Sequence, residues 1–388
     1  MKRLAVLGST GSIGTATLDV VSRFPDRFQV AALAAGHNLG RLREQIVSCR
    51  PRLVAVAEPA DAATLALEFP GLTVVAGEEG RLAAATLTDA DVVVGAFVGA
   101  LGLIPVLRAL ELGRQVLLAN KETLVMAGEL VMATARRHGA SILPIDSEHN
   151  ALHQALGAGP REAVRRLVLT ASGGPFRRTS QAALAKVTVA ETLAHPTWKM
   201  GSKITVDSAT MMNKGLEIIE AHHLFSIADE HIAVVVHPES RVHSLVEFID
   251  GTLIAQLSVN DMRFPILYAL AYPERLPSPY GFLDLVEVGE LHFEAADEER
   301  FPCLRLAREA LRAGPTAPAV LNAANEVAVA AFLAGQLGFT GIAAVVEAAL
   351  ARELACPGAA GELDDILAAD ARARAWAREA LAKYPQEK

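Results

Sequence analysis

Two acidic side chains follow a short apolar segment and could together bind a metal ion. Asp146 and Glu148 stand two residues apart at the end of the run Ile142–Ile145. If that run is a buried strand, both carboxylates leave its end on the same side. Carboxylates that point together repel each other unless a cation or a shared proton compensates their charge. The alternative is structural: Asp146 would cap a helix that starts near Ser147, with Glu148 in its first turn.

A second polar segment supplies a third acid and several groups that suit phosphate. Glu217 ends the stretch Met212–Glu217. Together with the first two acids it would offer oxygen ligands, which favour Mg²⁺ or Mn²⁺ over zinc. Ser208, Asn213 and Lys214 supply a hydroxyl, an amide and an ammonium group, a set suited to phosphate oxygens. This stretch therefore indicates a site for a metal ion and a phosphate group.

Two neighbouring segments could complete such a site. Ser172 precedes two glycines, so backbone N–H groups and a hydroxyl are available to bind an anion. Residues 194–203 contain one of the two tryptophans of the chain, Trp198. Pro196 and Gly201 could serve as rigid and flexible points of a lid that excludes water. The alternative is that Trp198 fills the core.

The N-terminal segment has the order expected of a dinucleotide-binding turn. Arg3–Leu7 predicts a buried strand, glycines follow at positions 8, 11 and 14, and Thr15–Ser22 has helical character. Glycine lets such a turn close and lets a pyrophosphate approach backbone N–H groups at the helix N-terminus. The spacing is G-x-x-G-x-x-G rather than G-x-G-x-x-G, so a generic glycine turn remains the alternative.

The end of the second predicted strand bears on the choice of cofactor. An NAD-binding unit usually offers an acid there to hold the ribose diol. In this chain Gln29–Ala34 is followed by Ala-Gly-His-Asn at 35–38, and Arg41 and Arg43 lie just beyond. Basic residues in place of an acid favour the 2′-phosphate of NADP.

A polar triplet follows a later predicted strand. Asn120, Lys121 and Glu122 come directly after Gln115–Leu118. Ligands of open α/β sheets sit beyond the carboxyl ends of the strands, so this triplet is well placed to meet a cofactor and a substrate. The alternative is a solvated helix start.

Six segments, in order along the chain, resemble the 1-deoxy-D-xylulose 5-phosphate reductoisomerase family: GSTGSIG, ANKE, PIDSEHN, TASGGPF, HPTWKMGSKITVDSATMMNKGLE and NAANE. The resemblance covers nearly the whole chain, and the block at 195–217 is highly specific. The family implies NADPH and Mg²⁺ or Mn²⁺ as cofactors, and a homodimer. In the last segment, we expect Asn322, Asn325 and Glu326 to be structural and to brace the active-site region.

The resemblance implies roles for individual residues. The divalent cation would be held by Asp146, Glu148 and Glu217. Contacts to the substrate would come from Lys121, Ser147, Glu148, Ser172, His195, Trp198, Ser208, Asn213, Lys214 and Glu217. Contacts to NADPH would come from Gly8, Thr10, Gly11, Ser12, Ile13, Gly36, His37, Asn38, Asn120, Glu122 and Gly201. His37 stands where the family often has Lys or Arg.

The implied reaction rearranges and reduces 1-deoxy-D-xylulose 5-phosphate to 2-C-methyl-D-erythritol 4-phosphate, a step toward isoprenoid precursors by the non-mevalonate route. Lys121, Asp146, Glu148 and Glu217 would be the catalytic residues, with Lys121 orienting or protonating a substrate oxygen. One alternative is an NADP-dependent semialdehyde dehydrogenase, which requires a cysteine nucleophile. The other is a non-enzymatic NADP(H)-sensing regulator, which requires no acidic triad.

Composition limits the partners and the compartment. The chain has 388 residues, with 44 acidic and 36 basic side chains and a net charge of -8, which argues against nucleic acid as a partner. The three cysteines are scattered and lack metal-binding spacing, as in a reduced cytoplasmic protein. The longest uncharged stretch, Val92–Leu107, is too short and too rich in glycine for a membrane span.

The order of predicted elements indicates an α/β protein with three parts. Residues 1–146 alternate strands and helices, as in a doubly wound, Rossmann-like NADP-binding domain. Residues 147–272 predict a mixed α/β catalytic and metal-binding domain, with a hairpin at 245–257. Residues 273–300 form a connector, and 301–388 predict a helical bundle. Its four alanine-rich helices are expected at 302–313, 319–334, 340–353 and 363–383.

Overall fold

The computed structural model describes residues 1–198, 200–355 and 362–384. The chain forms two compact units, and each unit is assembled from several chain segments. Unit 1 consists of Met1–Thr123, Val131–Asn150 and Asp261–Phe282. Unit 2 consists of Leu124–Leu130, Ala151–Asn260 and Leu283–Lys388.

The strands are β1 Lys2–Leu7, β2 Phe28–Ala34, β3 Leu53–Val56, β4 Thr73–Ala76, β5 Val92–Gly95, β6 Gln115–Leu118, β7 Ile142–Pro144, β8 Val164–Ala171, β9 Ile232–Val236, β10 Val242–Phe248, β11 Leu253–Leu257 and β12 Glu294–Ala295. The helices are α1 Ser12–Arg23, α2 Leu39–Cys49, α3 Pro59–Glu68, α4 Gly77–Thr86, α5 Leu103–Glu111, α6 Glu122–His138, α7 Ser147–Ala155, α8 Gln181–Leu184, α9 Val189–Leu193, α10 Ser202–Ala209, α11 Met212–Phe225, α12 Arg263–Ala271, α13 Leu285–Val288, α14 Pro302–Ala313, α15 Ala317–Leu333, α16 Phe339–Ala355 and α17 Leu363–Leu381.

Unit 1 is built on a parallel sheet with the strand order β4-β3-β2-β1-β5-β6-β7. Its strands are continuous apolar runs, such as the fully buried Leu4–Leu7, because a doubly wound sheet is covered on both faces. The chain passes from β4 across to β5, which pairs with β1, so the winding reverses between β1 and β5. Ligands of such sheets bind beyond the carboxyl ends of the strands at this reversal.

Helix α12 belongs to unit 1, although the sequence-based division placed its residues in the central domain. Lys2 Nζ donates a hydrogen bond to the Leu270 carbonyl at 2.8 Å. Ile266 and Leu270 are buried in the same apolar cluster as Leu4. The units therefore interleave along the chain, whereas the divisions predicted at 146, 272 and 300 followed its order.

Unit 2 contains a mixed sheet with the order β11-β10-β8-β9-β12. Strands β8 and β9 are parallel, and the other pairs are antiparallel. Alternate residues of β8 face different clusters, since Leu167 and Leu169 join the main core and Val168 joins a smaller one. The hairpin of β10 and β11 turns at Asp250 and Gly251, where Gly251 has a φ of +86°.

The C-terminal helices α14 to α17 pack around α15. Helix α15 is apolar on nearly all sides because α10 also contacts it. These observations confirm the predicted fold class: α/β, with a Rossmann-like N-terminal sheet, a central mixed region and a helical C-terminal bundle. Within the described ranges, no helix is long and apolar enough to span a membrane.

Helix α6 is kinked at Ala127, whose φ of -142° and ψ of 35° are not helical. Beside the kink, Gly128 faces the ring of His223, and a Cβ at position 128 would come within 2.1 Å of that ring. Burial, aided by the nearby His222, lowers the pKa of His223 to about 4. The ring is therefore neutral at pH 7 and packs as an uncharged group.

Candidate active site

The glycine turn of unit 1 lies at the reversal between β1 and β5. Gly8 has a φ of +88°, and a Cβ there would lie 2.3 Å from the carbonyl oxygen of Ala96, which follows β5. A Cβ at Gly14 would lie 2.3 Å from the Gly8 carbonyl oxygen. Both contacts require glycine. The turn leads into α1, whose first N–H groups are suited to a pyrophosphate, and this favours the dinucleotide interpretation over a generic turn.

The two arginines beyond β2 have different surroundings. Arg41 Nη1 lies 3.4 Å from the Thr10 carbonyl oxygen, so its guanidinium group stands beside the glycine turn. Arg43 makes a two-pronged ion pair with Glu68, at 2.6 and 2.7 Å. His37 is exposed. Arg41 is therefore better placed than Arg43 to meet a phosphate bound at the turn.

Asn38 and Gly36 follow β2, where the resemblance predicted NADPH contacts. Asn38 Oδ1 accepts the backbone N–H of Arg41 at 3.2 Å and caps α2. Gly201, another predicted NADPH contact, lies at the N-terminus of α10 in unit 2, whereas the remaining predicted NADPH residues belong to unit 1.

Asn120, Lys121 and Glu122, at the start of α6, are buried. The alternative of a solvated helix start is therefore wrong. Asn120 Nδ2 donates to the Gly99 carbonyl at 3.1 Å and to Glu122 Oε2 at 2.7 Å. Thr123 Oγ1 donates to Asn120 Oδ1 at 2.8 Å. A Cβ at Gly102 would overlap Asn120 Oδ1, at 1.9 Å. These contacts fix the position of the triplet.

Asp146 takes part in an ion pair and also caps a helix. Lys121 Nζ lies 2.5 Å from Asp146 Oδ2. Asp146 Oδ1 accepts the backbone N–H of Glu148 at 3.3 Å and lies 3.4 Å from His149 Nδ1. Ser147 Oγ donates to Glu148 Oε2 at 2.5 Å. The capping role that the sequence suggested is thus real, and it leaves Oδ2 facing an ammonium group.

The charge of Asp146 is set by competing effects. Burial acts to raise its pKa, but the positive charge of Lys121 and the contact with His149 outweigh burial and hold the pKa well below its usual range. The carboxylate is therefore ionised and compensated by a cation. Sequence reasoning missed His149 in this role, although its position three residues after Asp146 on α7 could have suggested it.

In unit 2, Ser172, His195 and Ser208 form a serine–histidine pocket. His195 Nε2 lies 3.0 Å from Ser172 Oγ and 3.2 Å from Ser208 Oγ. On the other side of the ring, Nδ1 accepts the backbone N–H groups of Thr197 at 3.2 Å and Trp198 at 3.0 Å. Because Nδ1 is an acceptor, the proton of the neutral ring is on Nε2. All three side chains are partly exposed, so the pocket can receive an anion.

The environment keeps His195 neutral. Burial lowers its pKa. A proton on Nδ1 would also face two backbone N–H donors. Trp198 is partly exposed and its ring centroid lies 6.3 Å from that of His243, so it does not fill the core. Lys199, within the predicted lid at 194–203, lies outside the described residues.

Helix α11 brings three predicted site residues onto one face. It begins at Met212, directly after Met211, which adopts a left-handed φ of 62°. Asn213 Nδ2 contacts Glu217 Oε1 at 2.5 Å, and Lys214 Nζ pairs with Glu217 Oε2. Lys214 and Glu217 are buried.

Both carboxylates, the partly buried Asp146 and the buried Glu217, therefore have ammonium partners, Lys121 and Lys214 respectively. Buried carboxylates require such compensation. Oxygen donors held in their anionic form are the ligands that Mg²⁺ and Mn²⁺ prefer. The donor groups fit the implied cation.

Comparisons with known proteins agree with this chemistry. Family models described as 1-deoxy-D-xylulose 5-phosphate reductoisomerase and its C-terminal domains match residues 4–128, 142–225 and 257–376. The 1-deoxy-D-xylulose 5-phosphate reductoisomerase of Chlorobaculum tepidum is 53% identical over 384 residues, covering 98% of this chain and 100% of the relative.

Two solved structures are similar over the whole chain. One is a DOX-P reductoisomerase in complex with NADPH, fosmidomycin and magnesium, with 43% identity, 98% coverage of both chains and a TM-score of 0.93. The other is the Zymomonas mobilis reductoisomerase in complex with NADPH, with 44% identity, coverage of 98% of this chain and 99% of that chain, and a TM-score of 0.90. The chain belongs to the 1-deoxy-D-xylulose 5-phosphate reductoisomerase family.

Proposed function

We propose that this protein converts 1-deoxy-D-xylulose 5-phosphate to 2-C-methyl-D-erythritol 4-phosphate with NADPH and Mg²⁺ or Mn²⁺. The supporting observation is the match over 98% of both chains to a reductoisomerase structure that contains NADPH, fosmidomycin and magnesium. We assign NADPH binding mainly to residues 1–146, catalysis and metal binding mainly to 147–272 together with Lys121 and Asp146, a connecting role to 273–300, and support of the site to 301–388.

The cation is assigned to Asp146, Glu148 and Glu217. When bound, it supplies Lewis acidity toward the carbonyl and hydroxyl oxygens of the substrate. Lys121 lies 2.5 Å from Asp146, so its ammonium group is placed to orient or protonate a substrate oxygen at the same carboxylate. Ser147, which contacts Glu148, is a further substrate contact.

The phosphate of the substrate is assigned to unit 2. Neutral His195 keeps its proton on Nε2, between the hydroxyl groups of Ser172 and Ser208, and each of these groups can donate to a phosphate oxygen. Asn213 and Lys214 add an amide and an ammonium group. Trp198 would cover the apolar side of the substrate when the loop at 194–203 closes.

NADPH supplies the hydride of the second stage. Its pyrophosphate is assigned to the N-terminus of α1, because backbone N–H groups converge there. The residues assigned to NADPH remain Gly8, Thr10, Gly11, Ser12, Ile13, Gly36, His37, Asn38, Asn120, Glu122 and Gly201.

The proposed reaction has two stages. In the first, one carbon–carbon bond of the ketose phosphate breaks and another forms, giving a branched aldehyde of the same composition. In the second, a hydride from NADPH and a proton reduce that aldehyde, and NADP⁺ is released. Incubation of the purified protein with the ketose phosphate, NADPH and Mg²⁺, followed by NMR of the product, tests the proposal. Absence of the branched tetrol phosphate would contradict it and favour an NADP(H)-sensing role.

A semialdehyde dehydrogenase is disfavoured by the chemistry of the described cysteines. Cys303 is the second residue of α14, at a helix N-terminus that would ordinarily activate a thiolate. However, burial and the nearby charge of Asp207 raise its pKa to about 12. Burial also raises the pKa of Cys49. Cys356 lies outside the described residues. Neither described thiol is suited to attack an aldehyde.

We also propose a cytoplasmic homodimer that binds no nucleic acid. Ile249 and Leu253, at the hairpin of β10 and β11, expose 71% and 52% of their surface, and an exposed apolar edge of this kind suits pairing with a second copy. Cys49 and Cys303 are free thiols, as in a reducing compartment. Light scattering in solution tests the dimer, and a monomeric mass would contradict it.

A further inference from the structure

Helix α10 carries Ser208 of the serine–histidine pocket, and the preceding residue is a buried acid. Asp207 exposes 1% of its surface. A carboxylate cannot be hydrated at such a position, so its charge must be met by protein groups. The partners of Asp207 therefore determine how the end of α10 is held.

Asp207 has one partner within its own helix and one outside it. Lys203 Nζ, one turn earlier on α10, lies 2.7 Å from Asp207 Oδ2. Asn325 Nδ2, on α15, donates to Asp207 Oδ1 at 2.9 Å, and Asn325 is fully buried. The pair with Lys203 cannot locate α10 relative to the rest of unit 2, because both residues move with the helix. The hydrogen bond from Asn325 can fix the position of α10, because Asn325 lies on a different helix, α15.

The same turn of α10 has a second contact with the rest of unit 2. A Cβ at Gly174 would lie 2.9 Å from the Ser208 carbonyl oxygen, so the loop after Ser172 packs directly on the end of α10. Gly174 N also donates to Ser172 Oγ at 3.2 Å. The position of Ser208 thus depends both on this loop and on the contact of Asp207 with α15.

We propose that Asn325 is a positioning residue for the phosphate-binding group Ser208, and that it acts through Asp207. This inference rests on the proposed function. Asn325 touches neither Ser208 nor His195 directly. Its effect passes through one backbone step, from a carboxylate that it fixes to a hydroxyl whose distance from His195 Nε2 is 3.2 Å. A displacement of about 1 Å is enough to lose a contact of this kind.

Asn322 provides a matched control. It is also fully buried and lies one turn earlier on α15. Its Nδ2 donates to Glu326 Oε1 at 3.0 Å, within the same helix. Truncation of either asparagine removes a buried amide from the bundle, but the bond from Asn325 reaches α10. A general loss of bundle stability would affect both variants alike.

The experiment compares Asn325→Ala and Asn322→Ala in the full-length protein. The readouts are the thermal midpoint, the Kd of NADPH, kcat, and the KM and calorimetric Kd of the sugar phosphate. We expect both variants to melt earlier. Asn325→Ala should raise the KM and Kd of the sugar phosphate about tenfold, the effect of one lost hydrogen bond, with an unchanged Kd for NADPH. Asn322→Ala should leave both substrate constants unchanged.

A milder variant guards against loss of folding. Asn325→Ser keeps a hydroxyl donor and should raise the substrate constants less than Asn325→Ala does. Equal substrate constants in the Asn325 and Asn322 variants would overturn the proposal. So would failure of both Asn325 variants to fold while Asn322→Ala folds. A wild-type protein that binds the sugar phosphate without converting it would contradict the proposed reaction, while the comparison of Kd values would still decide the role of Asn325.

Discussion

Trp198 donates its backbone N–H to Nδ1 of His195 across 3.0 Å. The backbone of the predicted lid segment therefore determines which nitrogen of the ring carries the proton. With Nδ1 used as an acceptor, Nε2 is left as the donor toward Ser172 and Ser208. The orientation of the His195 ring thus depends on the conformation of the loop that follows it.

His195→Phe should weaken binding of the sugar phosphate because it removes the Nε2 donor and the acceptor for two backbone N–H groups. A hydrogen bond to a charged group contributes about 1.5–3 kcal/mol, so we expect the KM to rise roughly 10- to 100-fold. The KM of His195→Gln should rise less, because glutamine keeps an N–H donor. Steady-state kinetics and a fluorescence titration of NADPH check this. An equal loss of NADPH affinity would show that the histidine acts on the fold instead.

Arg41→Ala should reduce the preference for NADPH over NADH. The Arg41 guanidinium group lies beside the Thr10 carbonyl oxygen at the glycine turn. Arg43→Ala is the control, since Arg43 pairs with Glu68. We expect about a tenfold larger Kd for NADPH in Arg41→Ala, little change for NADH, and little change for either in the control. Parallel losses for both nucleotides would exclude a contact with the 2′-phosphate.

Glu217→Gln should abolish most turnover while leaving the affinity for NADPH intact. The substitution removes the charge of one carboxylate that we assign to the metal and the partner of Lys214, and metal-ion catalysis contributes several kcal/mol. We expect kcat to fall by at least about 100-fold and the Mg²⁺ concentration for half-maximal rate to rise. Rate measurements over a Mg²⁺ series check both effects. Near-normal turnover at low Mg²⁺ would remove Glu217 from the metal site.

Stability should fall in acid because of His223. Its folded pKa is about 4, below the 6.5 of an ordinary histidine, so the unfolded chain binds the proton more readily. The contribution is fully present above pH 6.5 and is lost as pH falls toward 4. By linkage the loss is about 2 kcal/mol at pH 5 and on the order of 3 kcal/mol at pH 4.

Urea unfolding at pH 7 and pH 5 measures this effect. His223→Phe should remove that part of the pH dependence, because its ring cannot be protonated. His222→Phe is the comparison variant: the His222 ring bonds the Ile227 carbonyl at 2.8 Å, and most of the pH dependence should remain, because burial is the main cause of the lowered pKa of His223 and His222 only adds to it. An unchanged slope in His223→Phe would assign the acid sensitivity to other groups.

Local signals were sufficient for much of the fold. Pro302 and Gly314 bracket α14, which forms at Pro302–Ala313 as expected from the sequence. Helix α15 runs from 317 to 333 where 319–334 was expected. Gly251 marks the predicted hairpin. The interleaving of the two units escaped prediction because it depends on where the apolar side of α12 packs, which local periodicity does not specify.

The candidate site was predicted as residue types more securely than as contacts. The roles assigned to Asp146, Glu148 and Glu217 stay predictions, although the local surroundings of each agree with them. The sequence could not separate Arg41 from Arg43, since the difference lies in Glu68, 25 residues away. It could not pair Asn325 with Asp207 either, because 118 residues intervene.

The path of the chain has a consequence for any attempt to divide this protein. Leu124–Leu130 belongs to unit 2, while the residues on both sides of it belong to unit 1. A recombinant fragment ending near 146 would carry Leu124, Val125 and Met126, all almost fully buried in the intact chain, without the rest of unit 2. Such a fragment would expose an apolar turn to water and tend to aggregate. Unit 1 is compact in the folded protein but is not one continuous piece of polypeptide.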